Sequence, residues 1–97
     1  MVDSRTRYVL HPQAAHRSVG GEVYIVTEDR AFHRLSTATA IDLFMALASG
    51  PSTRDDLVTL LCQRFQVSHD RAQQDVDTFL QTLVDRHVAQ CVTPPPA

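Results

Sequence analysis

The chain has 97 residues, 43% of them hydrophobic, and a formal charge of −2 at pH 7. That length makes one domain. It buries only about 60–65% of its unfolded surface, which leaves little room for a deep substrate cavity beside a core. The charge excludes the basic excess that drives affinity for nucleic-acid phosphates.

In chain order, Met1-Val2-Asp3-Ser4-Arg5 leads into no apolar segment, so no signal peptide is expected. No run approaches the ~20 apolar residues of a membrane helix. The expectation is a soluble, cytoplasmic protein with no membrane partner. Tyr8-Val9-Leu10 is a short β-prone run, ended by His11-Pro12. Ala15 to Val19 reads as a second strand, and Gly20-Gly21 as a turn. Residues 22–27 are rich in β-branched and aromatic side chains. The polar turn Glu28-Asp29-Arg30 separates them from Ala31-Phe32-His33-Arg34-Leu35, giving a hairpin with a three-residue loop. In this last strand Phe32 and Arg34 share one face, and Ala31, His33 and Leu35 share the core-directed one.

The remainder is helical. Ser36 or Thr37 caps a first helix carrying Ile41, Phe44, Met45, Leu47 and Ala48 on its apolar side. Gly50-Pro51 stops it. Thr53 to Asp56 resembles a capping box, with Asp in place of Glu. Leu57, Val58, Leu60, Leu61 and Phe65 supply the apolar side of a second helix. Ser68 caps a third, with Asp70 in its first turn. Ala72, Val76, Phe79, Leu80, Leu83 and Val84 form its stripe, which runs to about Arg86. Residues 88–92 read as a short extended segment. Pro94-Pro95-Pro96 is expected as a disordered tail beyond a single domain of residues 1–92. The fold class is α+β: a short antiparallel three-stranded sheet, then three helices, winged-helix-like.

The two cysteines form no CxxC pair, which argues against zinc and redox chemistry. Cys62 reads as a buried thiol and Cys91 as part of the tail, both free. His11, His16, His33, His69 and His87 are scattered, with no metal-ligand spacing, phosphate loop or nucleophile motif. No catalytic residue, metal or cofactor is expected, and the protein reads as a non-enzyme.

From about His16 to Ala89 the chain resembles the PqqD-like proteins, the RiPP recognition elements. The resemblance rests on residues 30–36, Ala40-Ile41-Asp42-Leu43-Phe44, Ser49-Gly50-Pro51-Ser52-Thr53, the Leu57 to Leu61 run, Phe65-Gln66-Val67, and residues 76–83. Ser36 stands where the family usually has Asn, and Phe44 where Trp is frequent. The resemblance implies a module that binds the leader region of a ribosomally made precursor peptide. It presents that peptide to a modifying enzyme, such as a radical S-adenosylmethionine enzyme or a leader peptidase. The peptide is implied to add to the third strand of the sheet, against the third helix.

A strand edge offers unpaired amides and carbonyls to such a peptide. On the strand side the candidate residues are Ala31, Phe32, His33, Arg34 and Leu35. On the helix side, Val76, Leu80 and Val84 are assigned to the groove wall and Gln73, Asp77 and Gln81 to its rim, with Phe79 and Leu83 in the core. Two alternatives stand beside this reading. One is a winged-helix DNA-binding regulator, which Asp70, Asp75, Asp77 and Asp85 oppose by outnumbering Arg71 and Arg86 on the third helix. The other is a dimerising adaptor. The oligomeric expectation is a monomer or homodimer.

Overall fold

The computed structural model describes residues 6–92. The expected tail at Pro94-Pro95-Pro96 and the N-terminal Met1 to Arg5 lie outside them.

Nine elements follow in order: β1 (Arg7–Leu10), β2 (Ala15–Val19), β3 (Glu22–Val26), β4 (Phe32–Leu35), α1 (Ala38–Ser49), β5 (Ser52–Thr53), α2 (Arg54–Arg64), α3 (His69–Asp85) and β6 (Ala89–Val92). β2, β3 and β4 form an antiparallel sheet in that order, the α+β core expected from sequence. Gly20 and Gly21 join β2 to β3 with φ of 58° and 80°, the positive angles that a two-residue hairpin turn of type I′ demands. The β3–β4 connection is the expected three-residue loop. Thr27 N–H donates to Ala31 O at 3.0 Å and Arg30 N–H to Thr27 O at 2.8 Å. Arg30 takes φ 65°, the left-handed residue that closes such loops.

β1 does not join this sheet. It pairs with β5 on one side and β6 on the other, making a second small sheet that the sequence reading did not anticipate. Its pairing of Arg7 with Val92 joins the two ends of the described chain, a contact no local pattern announces.

The helix ends are set by local chemistry. Thr37 caps α1 and Gly50 ends it at φ 155°. Thr53 and Asp56 close a reciprocal capping box at 3.1 Å each way, so Asp does replace Glu there. Ser68 caps α3 through Arg71 N–H. At the other end Val88 N–H reaches Leu83 O at 2.9 Å and His87 N–H reaches Val84 O at 3.2 Å. This is a Schellman motif with His87, at φ 61°, where glycine is usual.

The core gathers Val23 and Ile25 of β3, Leu43, Phe44 and Leu47 of α1, Leu57 and Leu61 of α2, and Ala72, Val76 and Leu83 of α3. Four expectations change here. Met45 and Ala48 face outward while Leu43 is buried. α1 is apolar around most of its circumference, so periodicity does not single out one face. Val76 is fully buried and belongs to the core, not to a groove wall. Phe79 is only half-buried, on the flank of the core. Cys62 is exposed, and Cys91 lies in β6 rather than in a tail, also exposed. Leu61 takes the inward position that Cys62 narrowly misses.

Two substitutions test these end structures by urea denaturation. Thr53→Ala removes the capping box of α2 and is expected to cost roughly 1 kcal/mol. His87→Gly relieves the left-handed penalty of a side chain and is expected to stabilise by roughly 1 kcal/mol.

Candidate peptide-binding groove

The hydrogen-bond phase of the sheet identifies which backbone groups of β4 are free. In an antiparallel ladder, bonded and non-bonded pairs alternate. The Thr27–Ala31 bond sets the phase. With Val26↔Phe32, Ile25↔His33, Tyr24↔Arg34 and Val23↔Leu35 as partners, His33 and Leu35 turn their N–H and C=O toward β3. Phe32 and Arg34 turn theirs outward. Among the described residues, no strand pairs with this outer edge. The edge therefore presents the donors and acceptors of two residues to an incoming chain.

Side chains follow the expected alternation. Phe32, 65% exposed, and Arg34 lie on the solvent face; His33 and Leu35 are half-buried and inward. Phe32 packs against Tyr24 with ring centroids 5.7 Å apart. The Arg34 Nε lies 3.1 Å from Glu22 Oε2, an ion pair by distance but out of line for a hydrogen bond. Ala31 sits in the loop as the closing acceptor. The His33 Nε2 is buried and, among the described residues, has no hydrogen-bond partner.

β4 faces α3 across a recess of about 320 Å³, lined by Leu35 and His33 on one wall and Thr82, Leu83 and Arg86 on the other, with Ile25 and Val88 also bordering it. Beyond the end of β4, a second recess of about 460 Å³ lies between the start of α1 and α3. Its α3 wall is Arg71, Asp75, Thr78 and Phe79. Together these residues form one flank of α3, spaced at three to four residues along the helix.

The helix residues chosen from sequence occupy the opposite flank. Asp77, Leu80, Gln81 and Val84 line a separate cavity of about 520 Å³ with Tyr8, Arg54 and Cys91. Gln73 shares their helical phase, and Val76 lies inside. The strand half of the expected site thus sits on an open edge, while its helix half points toward the small sheet. The reason is the rotation of α3: Ala72, Val76, Leu80 and Leu83 form the buried centre, so Phe79 and Val84 fall on opposite sides of it. The missed signal is the mixed stripe of Arg71, Asp75, Thr78, Thr82 and Arg86 beside Phe79.

The cavity on that opposite flank is larger than either recess beside β4, yet an ion pair lies in its wall. The Arg54 guanidinium grips Asp77 through Nε and, at 2.9 Å, through Nη2. This bond holds the Asp77 carboxyl below its ordinary range. Burial, reinforced by Cys91, pushes the Tyr8 phenol above its own. Among the described residues, no three His, Cys, Asp or Glu side chains converge as a metal site. Among the described residues, no helix is long and apolar enough to cross a membrane.

Residues 27–89 match the family described as Coenzyme PQQ synthesis protein D. The chain belongs to the PqqD family. This PqqD-family fold is also similar to three solved structures. TbiB1, in complex with the TbiA(beta) leader peptide, matches with a TM-score of 0.78 at 16% identity, over 84% of this chain and 94% of that one. Lasso peptide synthetase B1, complexed with the leader peptide, gives a TM-score of 0.74 at 17% identity, over 86% and 96%. The heterocyclase TruD gives 0.64 at 19% identity over 95% of this chain, which spans only 12% of TruD. No curated protein matches this sequence.

The Arg54–Asp77 pair gives a signed pH dependence. A carboxyl depressed in the folded state stabilises fully above its unfolded value near 3.8. That contribution is lost as pH falls through the lower folded value. Both groups are partly exposed, so the pair is worth about 0–1 kcal/mol at neutral pH. Thermal melts from pH 7 to pH 2 are expected to show a shallower acid loss for Asp77→Asn than for the parent.

Proposed function

We propose that this protein is a non-catalytic module that binds the leader region of a ribosomally made precursor peptide and presents it to a modifying enzyme. The outer edge of β4 beside a groove along α3 is the observation that carries this reading. An extended peptide satisfies the Phe32 and Arg34 backbone groups as a fourth strand, and its inward side chains enter the recess before α3. TbiB1 and lasso peptide synthetase B1, which share the fold, are both in complex with leader peptides. Family membership supports the same assignment.

In this proposal the strand residues Ala31, Phe32, His33, Arg34 and Leu35 stand as read from sequence. On α3, Thr78, Phe79, Thr82, Leu83 and Arg86 form the facing wall in place of the Asp77, Leu80, Gln81 and Val84 flank. The bound peptide is held while a separate enzyme, a radical S-adenosylmethionine enzyme or a leader peptidase, acts on its remaining part. The chain itself supplies position and effective concentration rather than bond chemistry.

Proline is tolerated on an edge strand where its missing N–H faces outward. Arg34→Pro is therefore expected to keep the native far-ultraviolet circular dichroism and lose binding of a precursor leader peptide by calorimetry. Arg34→Ala, which keeps the amide, is expected to retain binding. Equal binding by both variants would remove the β4 edge from the site. Amide shifts confined to Tyr8, Gln81 and Cys91 would move the site to the opposite flank of α3.

A further inference from the structure

The charge pattern along the groove specifies more than an extended backbone. Three arginines border the two recesses. Arg34 is matched by Glu22 at 3.1 Å and Arg71 by Asp75 at 3.2 Å. Arg86 is exposed and, among the described residues, has no carboxylate partner. It is the C-cap of α3, so its charge also opposes the negative end of that helix. Part of its attraction for an acid is used there, and the remainder faces the groove at the Phe32 end of β4.

The apolar features are spaced to match a strand. Leu83, with Ile25 and Leu35, forms an apolar floor in the first recess. Phe79, with Leu43 and Ala40, forms one in the second. Leu83 and Phe79 are one helical turn apart, about 6 Å along the axis. Side chains on one face of a strand repeat every two residues, about 6.6 Å. An extended peptide lying along β4 therefore reaches both floors with two apolar side chains separated by one residue. The path is continuous, because β4 leads through Ser36 directly to Thr37 and the start of α1.

We infer that the groove selects peptides carrying two apolar residues at i and i+2 and an Asp or Glu at the end nearest Arg86. This rests on the peptide-binding reading above and names the class of peptide. Two copies of this chain do not satisfy the requirement through β4. Pairing the edges about Arg34 sets that arginine against its own equivalent, and pairing about His33 sets two histidines together, with no acid opposite Arg86.

The test is selection from a displayed library of random peptides of about ten residues, long enough at about 3.3 Å per residue to span both recesses. The parent, Arg86→Gln and Arg86→Glu are selected in parallel, with circular dichroism confirming that each folds. The parent is expected to enrich the apolar–x–apolar pair with an adjacent acid. Arg86→Gln is expected to keep the apolar pair and lose the acid, and Arg86→Glu to exchange the acid for Lys or Arg. Fluorescence anisotropy of the parent's consensus peptide is expected to show roughly three- to tenfold weaker binding to Arg86→Glu, a gap that narrows at high salt. Enrichment by the parent with the same acid retained by Arg86→Glu, or with no acid at all, overturns the inference while leaving peptide binding intact. If the parent enriches no peptide, the peptide-binding reading fails, and the inference with it.

Discussion

A three-stranded sheet must leave two edges unpaired, and the proposed site depends on which edge is left beside a helix. Gly20-Gly21 folds β2 back on β3, and the loop at Arg30 then places β4 on the other side. The chain leaves the sheet at once, because Thr37 caps α1 only two residues after Leu35. Among the described residues, no strand covers the outer edge of β4. Its length of four residues and the charge of Arg34 limit unwanted self-association. The inward face buries Val23 and Ile25, so the edge is held in place by the core and does not need a ligand to form.

α3 divides the molecule into two unequal flanks. Its centre fills the core, one side borders β4 and the start of α1, and the other faces the β5-β1-β6 sheet. On the second side Arg54 ties α2 to Asp77 and Tyr8 is buried. That flank is fastened by its own side chains. On the first side four threonines stand among three arginines, His33 and Asp75, and the recess lies along unpaired backbone. The larger cavity is therefore not the better candidate for an extended chain, since volume without a free strand edge offers no backbone complementarity. The same division weighs against the DNA-binding alternative. Asp75 and Asp77 already neutralise Arg71 and Arg54, leaving little positive charge along α3 to face phosphates.

Much of this was legible in the sequence because it is local. The glycine pair, the Thr53–Asp56 box, the Ser68 cap and the β4 alternation each follow from a few neighbouring residues. The resemblance to PqqD-like proteins added the placement of a peptide at the third strand of the sheet. What the sequence hid was rotational or non-local. α3 carries apolar residues over a broad arc, so the stripe alone does not show that Val76 is fully buried while Val84 faces the small sheet. Phe79, expected in the core, is instead half-buried in the floor of the second recess for the same reason. The second sheet depends on Arg7 meeting Val92, for which no short-range pattern exists. Cys62 and Met45 lie beside truly buried positions on their helices, and one residue of helical phase separates the inside from the outside.

The central claim is that the outward amides of Phe32 and Arg34 are free in the unbound protein and become bonded when a peptide binds. Residue-resolved amide hydrogen exchange measures this directly. In the free protein these two amides are expected to exchange rapidly while those of His33 and Leu35 are protected. A library-selected peptide is expected to slow Phe32 and Arg34. Strong protection of both amides without ligand, or no change on saturation with a peptide that binds, would contradict the account.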